Sequence, residues 1–171
     1  AEEEAVYVKV VDYKSGNKDF EPVEFYYGLQ LQLLTYLNAA VDMVKATNPG
    51  KDVIPAAALY YHIDDPMLLR TEAIASPEEW QNKISSQLKT KGVVNGCNEV
   101  VKKLDSQIEK KSDVVPVEYD STAEISKRSS AYQQEELDAM LKYASKKIAA
   151  LGREIMTGQV SVNPYETKDT T

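Results

Sequence analysis

Residues 5–63 constrain the fold more than any other part of this 171-residue chain, because they read as strand, helix and strand in succession. The first strand covers residues 5–15. Val6, Val8, Val10 and Val11 are β-branched and Tyr7 and Tyr13 aromatic, side chains that suit a pleated surface. Substantial side chains on both alternating faces predict a strand covered on two sides. Residues 16–23 form a polar loop ending at Pro22, a common helix opening. Over residues 24–46, Leu29, Leu33, Tyr36 or Leu37, Ala40 and Val44 recur at helical spacing, and Asn48-Pro49-Gly50 stops the pattern. A second strand, residues 52–63, has the apolar centre AAALYYHI, bounded by Pro55 and Asp64-Asp65-Pro66. Two strands joined through a helix are expected to lie parallel, with a right-handed crossover. The class is therefore α/β.

The remaining chain adds helices. Ser76-Pro77-Glu78-Glu79 supplies a hydroxyl cap, a proline and two acids at a helix start, and predicts a helix to Lys89. Gly92-Val93-Val94-Asn95-Gly96 follows, then a short helix or turn over residues 98–105. Residues 106–131 are polar and predict a mobile excursion, with residues 114–119 as a candidate strand. Residues 133–156 form a long helix striped by Leu137, Leu141, Ala144, Ile148, Leu151 and Ile155, and Gly158 ends it. This is a single domain, residues 1–171, with its core in residues 5–95, the excursion in 96–131 and a C-terminal helix in 133–157. A strand so close to Ala1 and a polar tail over residues 166–171 are expected of a piece cut from a longer protein.

Composition removes several function classes. No apolar run is long enough to span a membrane, and Ala-Glu-Glu-Glu-Ala lacks the parts of a signal peptide. Cys97, the single cysteine, excludes an internal disulfide and fits a reducing cytosol. With one cysteine and one histidine, the chain cannot close a zinc site of its own. The net charge of −7 is the wrong sign for gripping phosphates unaided, so any nucleic-acid backbone must be held partly by other components.

Asp12 and Lys14 close the first strand. Residues two apart on a strand share a face, so this carboxylate and ammonium converge, with the Tyr13 carbonyl between them. Metal-dependent phosphodiester cleavage needs such a set: hard oxygen ligands for Mg²⁺, and a cation near the attacking water and the charge that develops on phosphorus. Two further acid-x-Lys matches, Glu109/Lys111 and Glu166/Lys168, follow no β-branched run. From spacing alone, an ordinary polar strand end is an equal reading of Asp12 and Lys14. Gln32 lies among Leu31, Leu33 and Leu34, and an amide buried without partners costs about 1–3 kcal/mol, so partners are expected. Gln32 and Tyr36 are i and i+4 on one helix face, which predicts contacts to a substrate or to the strand's acid and lysine. Gln30 fits the flank of a core stripe. His62 fits a structural role better than a ligand's, Asp64 and Asp65 begin a turn, and Cys97 reads as an inert thiol. Most tyrosines fall on predicted core faces.

These residues resemble a known family. VVDYKSGNKDF followed by YYGLQLQLLTYLNAA is similar to the RecB-like nuclease domain of the PD-(D/E)XK superfamily. The nearer likeness is to nuclease domains in the B subunits of AddAB-type ATP-dependent helicase–exonucleases. It continues through PAAALYYHIDDPML, GVVNG and GREIMTGQVSVNPY, and so covers most of the chain. The resemblance implies a restriction-endonuclease-like core, a central mixed sheet flanked by helices. It implies Asp12 as a metal ligand, with the Tyr13 carbonyl also on the Mg²⁺, and Lys14 as the catalytic lysine. Gln32 and Tyr36 would form the Q-x-x-x-Y motif. The family's other metal-binding Asp, in a G-x-I-D-R type segment, and a histidine before it precede this strand and are not in this chain. On that resemblance the chain alone holds an incomplete metal site. The family also carries a 4Fe–4S cluster, whose ligands lie outside this chain; Cys97 matches none of them.

The implied activity is Mg²⁺-dependent hydrolysis of the 5′-ended DNA strand during double-strand-break processing and recombinational repair. The implied partners are DNA and the helicase–nuclease A subunit, in the cytoplasm and without a membrane. A strand delivered by the helicase parts accounts for the acidic charge. Two rival readings stay open: a degenerate nuclease fold that binds a partner or DNA ends without cutting, and a stand-alone nuclease of the same superfamily.

Overall fold

The computed structural model describes residues 5–16, 18–63, 76–162 and 164. In chain order the elements are β1 (Ala5–Lys14), α1 (Pro22–Tyr27), α2 (Gln32–Thr47), β2 (Asp52–His62), α3 (Pro77–Leu88), β3 (Lys91–Asn95), α4 (Asn98–Leu104), β4 (Ala131–Tyr132) and α5 (Gln134–Met156). The strands form one mixed sheet in the order β1-β2-β3-β4. β1 and β2 are parallel, as the crossover requires, while β3 runs antiparallel to β2 and parallel to β4. Among the described residues no helix is long and apolar enough to cross a membrane.

Alternation along the strands divides the core in two. On one face Val8, Ala58, Tyr60 and Val93 pack against α2 and α5, through Leu33, Leu34 and Leu37 of the first and Leu137, Leu141 and Ala144 of the second. Each of the three α2 leucines is fully buried, worth roughly 1.5–3 kcal/mol apiece before entropic costs, which fixes that helix on the sheet. On the other face Ala57, Leu59 and Val94 meet Val101 of α4 and Val115 and Val117. The segment expected to be a mobile excursion is therefore a wall of the second core. It carries only isolated bridges, Lys111 with Glu118 and Tyr119 with Ile125, and no regular strand.

Pro55 stands inside β2, a central strand, where a missing N–H breaks the ladder. The chain meets this with a bulge. Val8 pairs with Pro55 and Lys9 with Ala57, leaving Ala56 as an extra residue. The insertion changes the parity of β2, so Val53 before it and Ala58 and Tyr60 after it share one core.

The structure corrects further expectations. The helix over residues 24–46 is two helices. Gly28, at φ 92°, ends α1 with its N–H on the Phe25 carbonyl (3.0 Å), and Leu29 N–H reaches Glu24 O (2.9 Å), a left-handed cap that no periodicity count registers. β3 lies where the sequence shows only a Gly-flanked Val pair. The stripe of α5 leaves the core after Ala144, since Ile148, Leu151 and Ile155 are 40%, 38% and 73% exposed. The tyrosines are not mainly core residues: Tyr13, Tyr26, Tyr27 and Tyr36 are exposed. Asp64, Asp65, Glu166 and Lys168 lie outside the described residues.

Candidate active site

The β1 end and the α2 start meet over the sheet. Asp12 pairs in register with Tyr60 and Lys14 with His62, so Asp12 and Lys14 look toward the face that carries α2. A turn braced by Gln30 holds the start of α2 there. Gln30 is 3% exposed; its Oε1 accepts the Glu21 N–H (3.1 Å) and its Nε2 donates to the Glu24 carboxylate. Tyr143 of α5 donates to the Tyr26 carbonyl at 2.5 Å and ties α1 to the bundle. The burial expected of the two glutamines is thus reversed. Gln30 is the buried amide because it lies in the turn between α1 and α2 rather than on a helix flank, whereas Gln32, the first residue of α2, is exposed.

Gln32 nevertheless has the partners its position predicted. Lys14 Nζ lies 2.9 Å from Asp12 Oδ2 and donates to Gln32 Oε1 at 3.0 Å, and Gln32 Nε2 donates to the Tyr36 hydroxyl at 2.8 Å. An ammonium only donates, so the Gln32 oxygen must face it and the amide NH₂ must face Tyr36. Tyr36 Oη then accepts within the chain, and its own proton is available to a ligand. Tyr36 is 46% exposed, so a ligand can approach this residue. The Lys14 ammonium also lies 5.8 Å from the centre of the Tyr60 ring. Tyr60 is buried, and burial first, with the charges of Asp12 and Glu24 second, pushes its phenol above the ordinary value of 10.0.

Asp12 offers one hard ligand for a cation. Its Oδ2 is buried and receives no directed hydrogen bond; Lys14 is within ion-pair distance but outside hydrogen-bond geometry. A buried carboxylate oxygen with an unfilled lone pair suits a divalent ion. The donor set is incomplete, because no group of three or more His, Cys, Asp or Glu converges among the described residues. Asp12 and the Tyr13 carbonyl would be this chain's share of the ligands. Tyr13 turns its ring to the opposite face, 5.6 Å from Tyr61, and is 63% exposed. His62, in register with Lys14, lines a crevice with Lys14, Lys18 and Tyr60, so it lies at the site. Cys97 is exposed just before α4, on a different part of the sheet. A cleft of about 600 Å³ between α2 and α5 opens beside Val53 and Pro55, at the end of β2 away from this chemistry.

A mixed α/β sheet whose parallel strand ends in an acid-x-lysine pair is the frame of a nuclease. The chain belongs to the PD-(D/E)XK nuclease superfamily, whose family model matches residues 1–167. It is 37% identical over 169 residues to the B subunit of the ATP-dependent helicase/deoxyribonuclease of Acetivibrio thermocellus, covering 99% of this chain. The B subunits of the same name from Alkaliphilus metalliredigens and Clostridium botulinum are each 37% identical over 96% of this chain. The chain spans only 14–15% of the length of these relatives.

Proposed function

We propose that this chain is the nuclease part of the B-type subunit in an ATP-dependent helicase/deoxyribonuclease, and that it hydrolyses DNA phosphodiesters with Mg²⁺. The observation that carries the reading is the continuous contact Asp12–Lys14–Gln32–Tyr36, which joins a strand-end acid to an outward-facing hydroxyl. Asp12 and the Tyr13 carbonyl would hold the metal. A bound Mg²⁺ supplies Lewis acidity and a more acidic water. Lys14 places its charge beside the non-bridging phosphate oxygens as negative charge grows there. Gln32 holds the ammonium in that position, and Tyr36 donates its free proton to the strand backbone. The partners are a DNA strand, taken to be the 5′-ended one after unwinding, and the A-type subunit of the same complex, acting in the cytoplasm during break repair. An iron–sulfur cluster, if the full-length protein carries one, takes its ligands from elsewhere.

Among the described residues the site holds one carboxylate, which supports a second reading, a degenerate fold that binds without cutting. One experiment separates them. In the assembled helicase–nuclease, Asp12→Ala and Lys14→Ala should each lower degradation of the 5′-ended strand by at least about 100-fold while unwinding continues. Retained cutting would overturn the assignment; joint loss of cutting and unwinding would mark misassembly.

A further inference from the structure

The acidic chain concentrates positive charge in one concave place. A cleft of about 290 Å³ opens where α3 passes into β3, and Lys89, Lys91, Lys111 and Arg128 line it against a single carboxylate, Glu118. Lys91 is ion-paired to Asp19 at 2.8 Å. Among the described residues no carboxylate lies within ion-pair distance of Lys89, Lys111 or Arg128. In a chain of net charge −7, three cations lie together here with Glu118 as the one carboxylate in the lining and none of them in ion-pair contact among the described residues, an arrangement that an anion would complement. Ser86, Thr90 and Ser129 share the lining, so the walls carry polar groups of the kind that meet phosphate oxygens. Burial of Lys89, and then the neighbouring Lys111 ammonium, lower the Lys89 pKa, while Asp113, Glu118 and Asp105 oppose the shift.

The cleft adjoins the candidate active site. Asp12, Tyr60 and Lys91 form one row across β1, β2 and β3 through the pairs Asp12–Tyr60 and Tyr60–Lys91. Lys89 and Lys91 line both this cleft and the crevice that holds Lys14, Lys18 and His62. Tyr60, in the middle of that row, is buried, so a strand that passes Lys14 would reach the cleft over the accessible side chains of Lys18 and Lys91.

Resting on the nuclease reading above, we propose that the cleft of Lys89, Lys111 and Arg128 holds backbone phosphates of the DNA strand being cut, on one side of the scissile bond. These residues position the strand and take no part in bond breaking. The test uses the assembled helicase–nuclease and measures kcat/KM for single-strand degradation against salt concentration. Each phosphate contact in a single strand contributes about 0.7 to the slope of log affinity against log salt, so K89Q/K111Q/R128Q should flatten the slope by about 2. The loss should grow with strand length up to about 4 nucleotides, because the shortest substrates cannot reach from Lys14 to the cleft two strands away. K89R/K111R, which keeps the charge, should keep the slope. An unchanged slope in the glutamine variant, or an equal loss on short and long strands, would overturn the cleft assignment alone. Asp12→Ala, run beside it, reports on the cutting site: if that variant still degrades DNA, the nuclease reading falls first.

Discussion

Gly92→Ala should be among the most damaging single-methyl changes in the chain. Gly92 sits in β3 opposite Leu59 with φ +136°, and a Cβ there would lie 2.3 Å from the Ala58 carbonyl oxygen and 3.0 Å from Leu59 Cα. Both atoms belong to the backbone of β2, which is held between β1 and β3 and cannot yield without disturbing both ladders. The unfavourable backbone region costs about 1–3 kcal/mol. Overpacking adds about 1–3 kcal/mol, so the total is roughly 2–6 kcal/mol. For a domain of this size each kcal/mol is worth about 2–4 °C, which puts the fall in Tm near 8–16 °C for a mid-range loss. Gly152→Ala is the control. Gly152 lies in α5 with nothing within 4 Å of its added methyl, and the change should stabilise by up to about 1 kcal/mol. Thermal unfolding followed by far-ultraviolet circular dichroism measures both. If Gly92→Ala melted with the parent, the close approach of β3 to β2 would be wrong, and with it the row that joins Asp12, Tyr60 and Lys91.

Two further outcomes test the frame of the site. Gln30→Leu, close in size, strips the partners from the Glu21 N–H and the Glu24 carboxylate and should cost about 1–3 kcal/mol in urea titration; an unchanged midpoint would mean that the amide does not brace the turn. Burial raises the phenols of Tyr60 and Tyr132 above 10.0 in the folded chain, so above pH 10 the unfolded chain has released protons that the folded chain keeps. Stability from these two groups is full below pH 10 and is lost as pH rises through their raised values, by up to about 1.4 kcal/mol per pH unit for each. Urea midpoints measured from pH 9 to 11 should therefore fall above 10, and less steeply in Tyr60→Phe; an equal slope in that variant would contradict the buried phenol.

The parallel β1–α2–β2 unit was legible because each part carries its own local signal: β-branching, helical spacing and Asn48-Pro49-Gly50. The break at Gly28 was not, since Leu29 and Leu33 keep helical spacing across a turn whose left-handed glycine has no effect on hydrophobic period. β3 has no such signal because its register depends on Gly92 fitting against Ala58, a tertiary contact with no local trace. Asp12 with Lys14, and Gln32 with Tyr36, could be paired from strand and helix geometry, and the structure brings the two pairs into contact. Which glutamine was buried depended on the unseen break. The basic cleft could not be read at all, because Lys89, Lys111 and Arg128 come from separate segments that only the second core brings together.

The bulge at Ala56 separates β2 into two lengths whose faces are set independently. Changes in chain length before Pro55 need be absorbed only by the opening half of the strand, beside the far cleft. A deletion at Ala56 itself would act on the other half: Leu59 would turn toward α2, and Tyr60 and His62 would turn away from Asp12 and Lys14. One small residue therefore decides which side chains of the later half of β2 stand beside Asp12 and Lys14. Loop grafts and insertions that respect this joint can be made at the start of β2 while the end beside Asp12 and Lys14 keeps its alignment.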